Sequence, residues 1–270
     1  MAWHLFLHRA EPSHCIDVDH ASAEGSDLTR RVPRSPVYVL LAVLVCLTFP
    51  PQASSEEETL PADYPASLER VLSVQLSRLS TEGPTLDRLL QLSELYMNIA
   101  DDLFNDEERK QLAYEAASAM AKRALTIDER SAHAHFLYAA SLGSGERLKG
   151  LSKGGLVLGE LKQHIRRAIE LNPTHPQALQ MMGGLCAELP WLLGGSDKDA
   201  ELYLKRAIAA DGRFTNAHLI LARLLMRQGR LAEAREHIES VLHAEHPHYP
   251  YAWKHTFRPE AERLLNLLSK

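Results

Sequence analysis

Cysteine is scarce in this chain, with 3 in 270 residues. Two of them fall in the first 53 residues, which leaves Cys186 alone in the rest. One thiol cannot close an intramolecular disulfide, so the fold has to be held by packing, and Cys186 reads as a small buried hydrophobe. Long apolar runs are lacking too. The most hydrophobic stretch, residues 36–49, carries about thirteen apolar-to-neutral side chains, short of the roughly 20 that span a bilayer. There is no surplus of positive charge: 30 Lys and Arg stand against 35 Asp and Glu, a net charge of −5. Nothing in that balance attracts nucleic acid or an anionic membrane surface.

Catalytic signatures are missing as well. No Ser/His/Asp order, paired-carboxylate pattern or Cys-x-x-Cys occurs in a supporting context. The stretch Gly145–Ser152 has the spacing of a phosphate loop, but Leu151 stands where a lysine would neutralise the phosphates. His243, His246 and His248, with His237 and His255 nearby, are close enough in sequence to suggest a metal site. They sit in a proline-broken segment that specifies no ligand geometry, and are read as solvated loop residues. Neither a cofactor nor a metal is expected, and the pattern speaks against an enzyme.

What is present is a repeat. Ala124, Ala168, Ala207 and Val241 each stand third in one recurring phrase: Lys-Arg-Ala-Leu, Arg-Arg-Ala-Ile, Lys-Arg-Ala-Ile and Glu-Ser-Val-Leu. The intervals are 44, 39 and 34 residues. The last matches a 34-residue helix–turn–helix unit of the tetratricopeptide type, and the others exceed it by ten and five. The eighth position, where the two helices of a unit cross closely, holds Ala139, Gly183 and Ala222. The twentieth holds Leu161, Ala200 and Ala234, so the unit with Leu161 departs from the small-residue rule. Pro173, Gly212 and the His246–Pro247 pair end the second helices. Upstream, Leu86–Phe104, Ala113–Ile127 and Ala66–Leu79 read as further amphipathic helices, and Pro259 opens a last one through Leu268. The expected fold is all-α: a solenoid of about four stacked helix pairs with capping helices, since such a pair cannot bury its apolar face alone. The repeat domain is placed at residues 66–270.

The ten- and five-residue surpluses fall between the two helices of a unit, at 143–159 and 188–199. Both are expected to be loops, neighbours on one edge of the solenoid, and insertions in repeat proteins often mark the binding face. The first carries six glycines, at 143, 145, 150, 154, 155 and 159, among residues that include Leu151 and Leu156. The second reads Glu-Leu-Pro-Trp-Leu-Leu-Gly-Gly-Ser. Trp191, Leu192 and Leu193 either meet a partner or ligand or fold back into the groove between helices. The plug is the expectation for Trp191, and the glycine-rich segment the part that meets the partner. First helices should supply a concave face that includes His135, Leu179, Gln180, His218 and Arg223.

The N-terminus is set apart from the repeats. Residues 36–49, preceded by Arg30, Arg31 and Arg34, fit the core of a signal peptide with Ala53 as the cleavage site. The polar residues ahead of Arg31 are either a genuine extension or untranslated, with a start near Val32. The leader is thus placed at 1–53 and a linker at 54–65. Cys46 follows Val45 rather than a small residue, so lipidation is not expected.

The stretch Ala132-His-Ala-His-Phe-Leu-Tyr-Ala-Ala, the glycine-rich insertion, Arg166-Arg-Ala-Ile-Glu-Leu-Asn-Pro and the Trp191 segment together resemble the TRAP-transporter T-component family. They are also similar to the repeat domain of the regulator-of-microtubule-dynamics family, whose members carry an N-terminal membrane segment. The likeness covers roughly residues 84–270, and only the two insertions are specific. The first resemblance implies an exported, periplasmic or otherwise extracytoplasmic protein that associates with a periplasmic solute-binding protein. The function expected from the sequence is accordingly that of a non-catalytic exported scaffold of an uptake system; the alternative is a component binding a small apolar ligand between the two insertions. A second copy of the chain is a further candidate partner, and membrane attachment would come only through an uncleaved 36–49 segment.

Overall fold

The computed structural model describes residues 60–149 and 151–269, with 151–156 described by backbone alone. The leader, residues 1–53, and the first half of the 54–65 linker lie outside the described residues. From Leu60 onward the chain forms one compact unit, all helical among the described residues. Helix α1 spans Ser67–Glu82 and caps the array. Four pairs follow: α2 (Leu86–Asn98) with α3 (Glu107–Ile127), α4 (Ala132–Leu148) with α5 (Leu151–Leu171), α6 (Pro176–Glu188) with α7 (Asp197–Ala210), and α8 (Thr215–Arg227) with α9 (Leu231–Leu242). Helix α10 (Arg258–Leu268) closes the far end against α9. Each helix packs most closely on its sequence neighbour, as the repeat spacing predicts.

Local chemistry sets the helix boundaries. Side chains of Thr85, Asp106, Ser131 and Ser196 accept hydrogen bonds from the backbone N–H of Arg88, Arg109, Ala134 and Asp199, satisfying donors that a helix start leaves orphaned. Gly229, at φ 75°, supplies the left-handed turn that brings α9 back along α8.

Ala124, Ala168, Ala207 and Val241 are all fully buried, and so are Ala139 and Ala222 at the eighth position. In the third pair that position is Gly183, and a Cβ there would lie 2.7 Å from Leu204 Cγ. The residue is small because α6 and α7 touch at that point. Leu161, the exception at the twentieth position, is accommodated: it is buried in the same core as Ile165, Leu185 and Leu204.

One expectation is corrected here. The 143–159 insertion is not a loop; apart from the junction around residue 150 it extends α4 and α5 by extra helical turns. Gly143 and Gly145 are buried in α4, and a Cβ on Gly145 would meet Gln111 and Tyr114 of α3 at 3.4 and 3.5 Å. Those glycines read as loop formers from sequence because glycine disfavours helix interiors by roughly 1 kcal/mol. Close approach of α3 outweighs that propensity.

Candidate functional site

The 188–199 insertion is the connection expected from the sequence. After α6 the chain makes a single 3-10 turn, Trp191–Leu193, then reverses through Gly194 and Gly195 into Ser196, the cap of α7. Gly194 is left-handed at φ 85°. A Cβ on Gly195 would lie 1.7 Å from the Leu189 carbonyl oxygen, so only glycine fits. The reversal is fixed by N–H donors of Gly195 and Ser196 to the carbonyls of Pro190 (3.0 Å) and Cys186 (2.9 Å). Lys162 of α5 also donates to the Leu193 carbonyl, tying the turn to the neighbouring pair.

This framework presents three large apolar side chains to solvent. Trp191 is 53% exposed, Leu192 75% and Leu193 50%. The expectation that Trp191 plugs the groove is therefore corrected: the tight reversal at Gly194–Gly195 turns the segment outward. The side chains of Leu151 and Leu156 lie outside the described residues.

The residues assigned to a concave face are mostly internal. His135 and His218 occupy the fourth position of their units and face the second helix of the same unit. His135 Nδ1 lies 2.8 Å from His164 Nδ1, and His218 Nδ1 lies 3.0 Å from His237 Nδ1. His164 and His237 both occupy the twenty-third position, so the same imidazole pair recurs in two units. In the unit between them the equivalent residues are Leu179, which is buried, and Tyr203. Arg223 is largely buried, 3.7 Å from Glu260 of α10. Sequence periodicity located all of these on first helices but could not resolve which side of the helix each faces.

A third imidazole pair has a fully assigned polarity. The Ala178 N–H donates to His175 Nδ1 (3.3 Å), which caps α6, so the ring proton sits on Nε2. That Nε2–H points at His133 Nδ1 (3.2 Å), and His133 Nε2–H in turn meets Glu94 Oε1 at 2.8 Å. Burial, helped by the neighbouring His133, holds His175 down at about 4. Burial and His237 do the same to His218, also about 4. Burial lowers His164, His237 and His248 as well. These imidazoles are neutral packing elements at neutral pH. Among the described residues no cluster of three or more His, Cys, Asp or Glu is arranged to hold a metal ion. Cys186 is buried, and burial pushes its thiol up, away from the reactive thiolate.

Stacked helix pairs on a 34-residue register, with an apolar turn displayed at one edge, define a helical-repeat protein of the tetratricopeptide type. A tetratricopeptide repeat model matches residues 198–254. A thermophilic tetratricopeptide repeat protein of Thermus thermophilus superposes with a TM-score of 0.57, covering 74% of this chain and 92% of that one. At 17% identity that likeness shows the fold alone.

More specific similarity lies upstream. The model of regulator of microtubule dynamics proteins 1–3 matches residues 62–192. Regulator of microtubule dynamics protein 1 of Bos taurus is 33% identical over 132 residues, 43% of this chain and 41% of that protein. Its namesake in Pongo abelii is 31% identical over 186 residues, 63% of this chain and 59% of that protein. The chain thus spans well under two thirds of the length of these relatives. Of the two resemblances seen in the sequence, the microtubule-regulator likeness is matched, and the transporter likeness finds no support. The periplasmic placement is overturned with it, because the relatives come from animals, whose cells have no periplasm. Both resemblances rested on the same repeat stretches and the same two insertions, which carry packing rather than location.

Proposed function

We propose that this chain is a non-catalytic protein-interaction scaffold acting in microtubule regulation, and that the Trp191–Leu193 turn is a principal contact for its partner. The observation that carries the reading is an exposed Trp-Leu-Leu triplet on a turn held by hydrogen bonds at Pro190, Cys186 and Leu193. A rigid exposed tryptophan offers large apolar area with little conformational entropy to lose, the usual character of an interface hot spot. The family likeness reaches into this turn, its matched residues ending at Leu192. An apolar-ligand pocket is a weaker reading, because the side chains that were to line it from this segment point outward.

The test is co-sedimentation of the full chain with microtubules assembled in animal-cell extract. Replacing Trp191 and Leu192 together by Ala should reduce the sedimented fraction at least about tenfold, since hot-spot truncations cost roughly 2 kcal/mol or more. The thermal melt should stay essentially unchanged. Undiminished sedimentation of the folded variant defeats the proposal.

A further inference from the structure

Between α9 and α10 the chain does not turn straight back. His246–His255 crosses the entries to α8 and α6 instead and reaches the segment ahead of α1. The His248 N–H donates to the Arg213 carbonyl at 3.0 Å, and its ring stacks on Phe214 with centroids 4.1 Å apart. Tyr249 packs edge-on against the same Phe214 at 5.6 Å, and its hydroxyl is hydrogen-bonded to Gln177 at the start of α6. Tyr251 then reaches Tyr64, ahead of α1, at 5.2 Å, and Tyr64 donates to Asp102 just beyond α2. Four consecutive residues, 248–251, thereby meet the entry to α8, the entry to α6 and the start of the array.

Carboxylates line this path. Asp211 lies 3.3 Å from His248 Nδ1. Glu94, Asp101 and Asp211 all act on Tyr249, and His255 acts on Asp102. The strap brings His248 beside Asp211 and His255 near Asp102. Its aromatic rings fill an apolar seat made by Phe214 and the adjoining core.

We propose that this inner surface is a second recognition site, separate from the Trp191 turn, for an extended aromatic peptide bearing a His-Tyr pair, and that residues 246–255 occupy it as a built-in competitor. Tyr249 shows how such a ligand sits: ring on Phe214, hydroxyl on Gln177, the preceding imidazole hydrogen-bonded to Asp211. A tethered occupant acts at an effective concentration of roughly millimolar order, so an outside ligand binds weakly until the strap lets go.

The test uses the full chain and a fluorescein-labelled synthetic peptide of residues 244–255, read by fluorescence polarisation. Against the wild type it should bind weakly. Against a Tyr249→Ala, Tyr251→Ala variant it should bind at least about tenfold more tightly. Adding Gln177→Leu to that variant should abolish the gain, whereas adding Trp191→Ala should leave it in place. A peptide with Glu at the three histidine positions should not bind. If the double variant loses its helical circular-dichroism signal, Tyr251→Ala alone, which removes a half-exposed ring, takes its place with the same expected direction. Equal binding to wild type and opened chain, no binding to a folded opened chain, or indifference to Gln177→Leu would each overturn the proposal.

Discussion

Acid should destabilise this protein through its paired imidazoles well before its carboxylates matter. His175 and His218 are held at about 4 in the fold, against an ordinary 6.5. A depressed imidazole favours the neutral form, so its contribution is complete above pH 6.5 and is lost as pH falls towards 4. From pH 7 to pH 5 each such group costs the fold roughly 1.8 kcal/mol. The two lie in different units, so together they cost roughly 3.5 kcal/mol. For a domain of this size that lowers the melting temperature by about 7–14 °C. His164, His237 and His248 act in the same direction, their pKa values lowered mainly by burial. Asp102 and Glu188, whose carboxyls burial pushes up, act in the opposite one and blunt the effect. Glu201, held at about 2 by Arg230 and Lys205, loses its contribution as pH falls from the ordinary 4.5 towards 2, below the window. The assay is a series of thermal melts from pH 7.5 to 5. Its control is written in the chain: replacing His218 by Leu and His237 by Tyr copies the equivalent pair, Leu179 and Tyr203, of the preceding unit. That variant should lose about half of the pH dependence. An unchanged slope would refute the assignment of the acid sensitivity to the imidazole pairs.

Other outcomes follow from single contacts. Gly195→Ala should destabilise by roughly 2 kcal/mol or more, because the clash is with backbone at Leu189 and the turn must reopen; a melt equal to wild type would contradict the geometry. Gly183→Ala should cost about 1–3 kcal/mol, since Leu204 can yield only in part, as measured by urea unfolding. Leu204→Ala, at a fully buried site between α6 and α7, should cost about 2–5 kcal/mol by the same measurement. Trp191→Ala should change stability by less than about 1 kcal/mol in a thermal melt, as expected for an exposed side chain.

The fold was legible because its signal is redundant. Ala124, Ala168, Ala207 and Val241 are small or branched for one geometric reason, and four copies of that reason outlast local exceptions such as Leu161. The candidate site was less legible. The direction of Trp191 depends on whether a carbonyl oxygen sits over Gly195, a contact between residues six apart that no periodicity encodes. Gly145 is the converse case: its role is set by Gln111 and Tyr114 of α3, more than thirty residues upstream. The imidazole pairs could have been found by writing the units in register, which puts His135 above His218 and His164 above His237. The strap left no pattern in the sequence, because a segment lying across several units follows none of their periods.

That strap also changes how the array should come apart. In a stack of repeats each unit holds only its neighbours, and melting can begin at either end and travel inward. Here the Tyr251–Tyr64 contact joins the strap ahead of α10 to the segment ahead of α1, converting an open row into a closed circuit. Fraying of an end unit then breaks contacts at both ends at once, so partial melting loses its advantage and the domain should unfold in a single step.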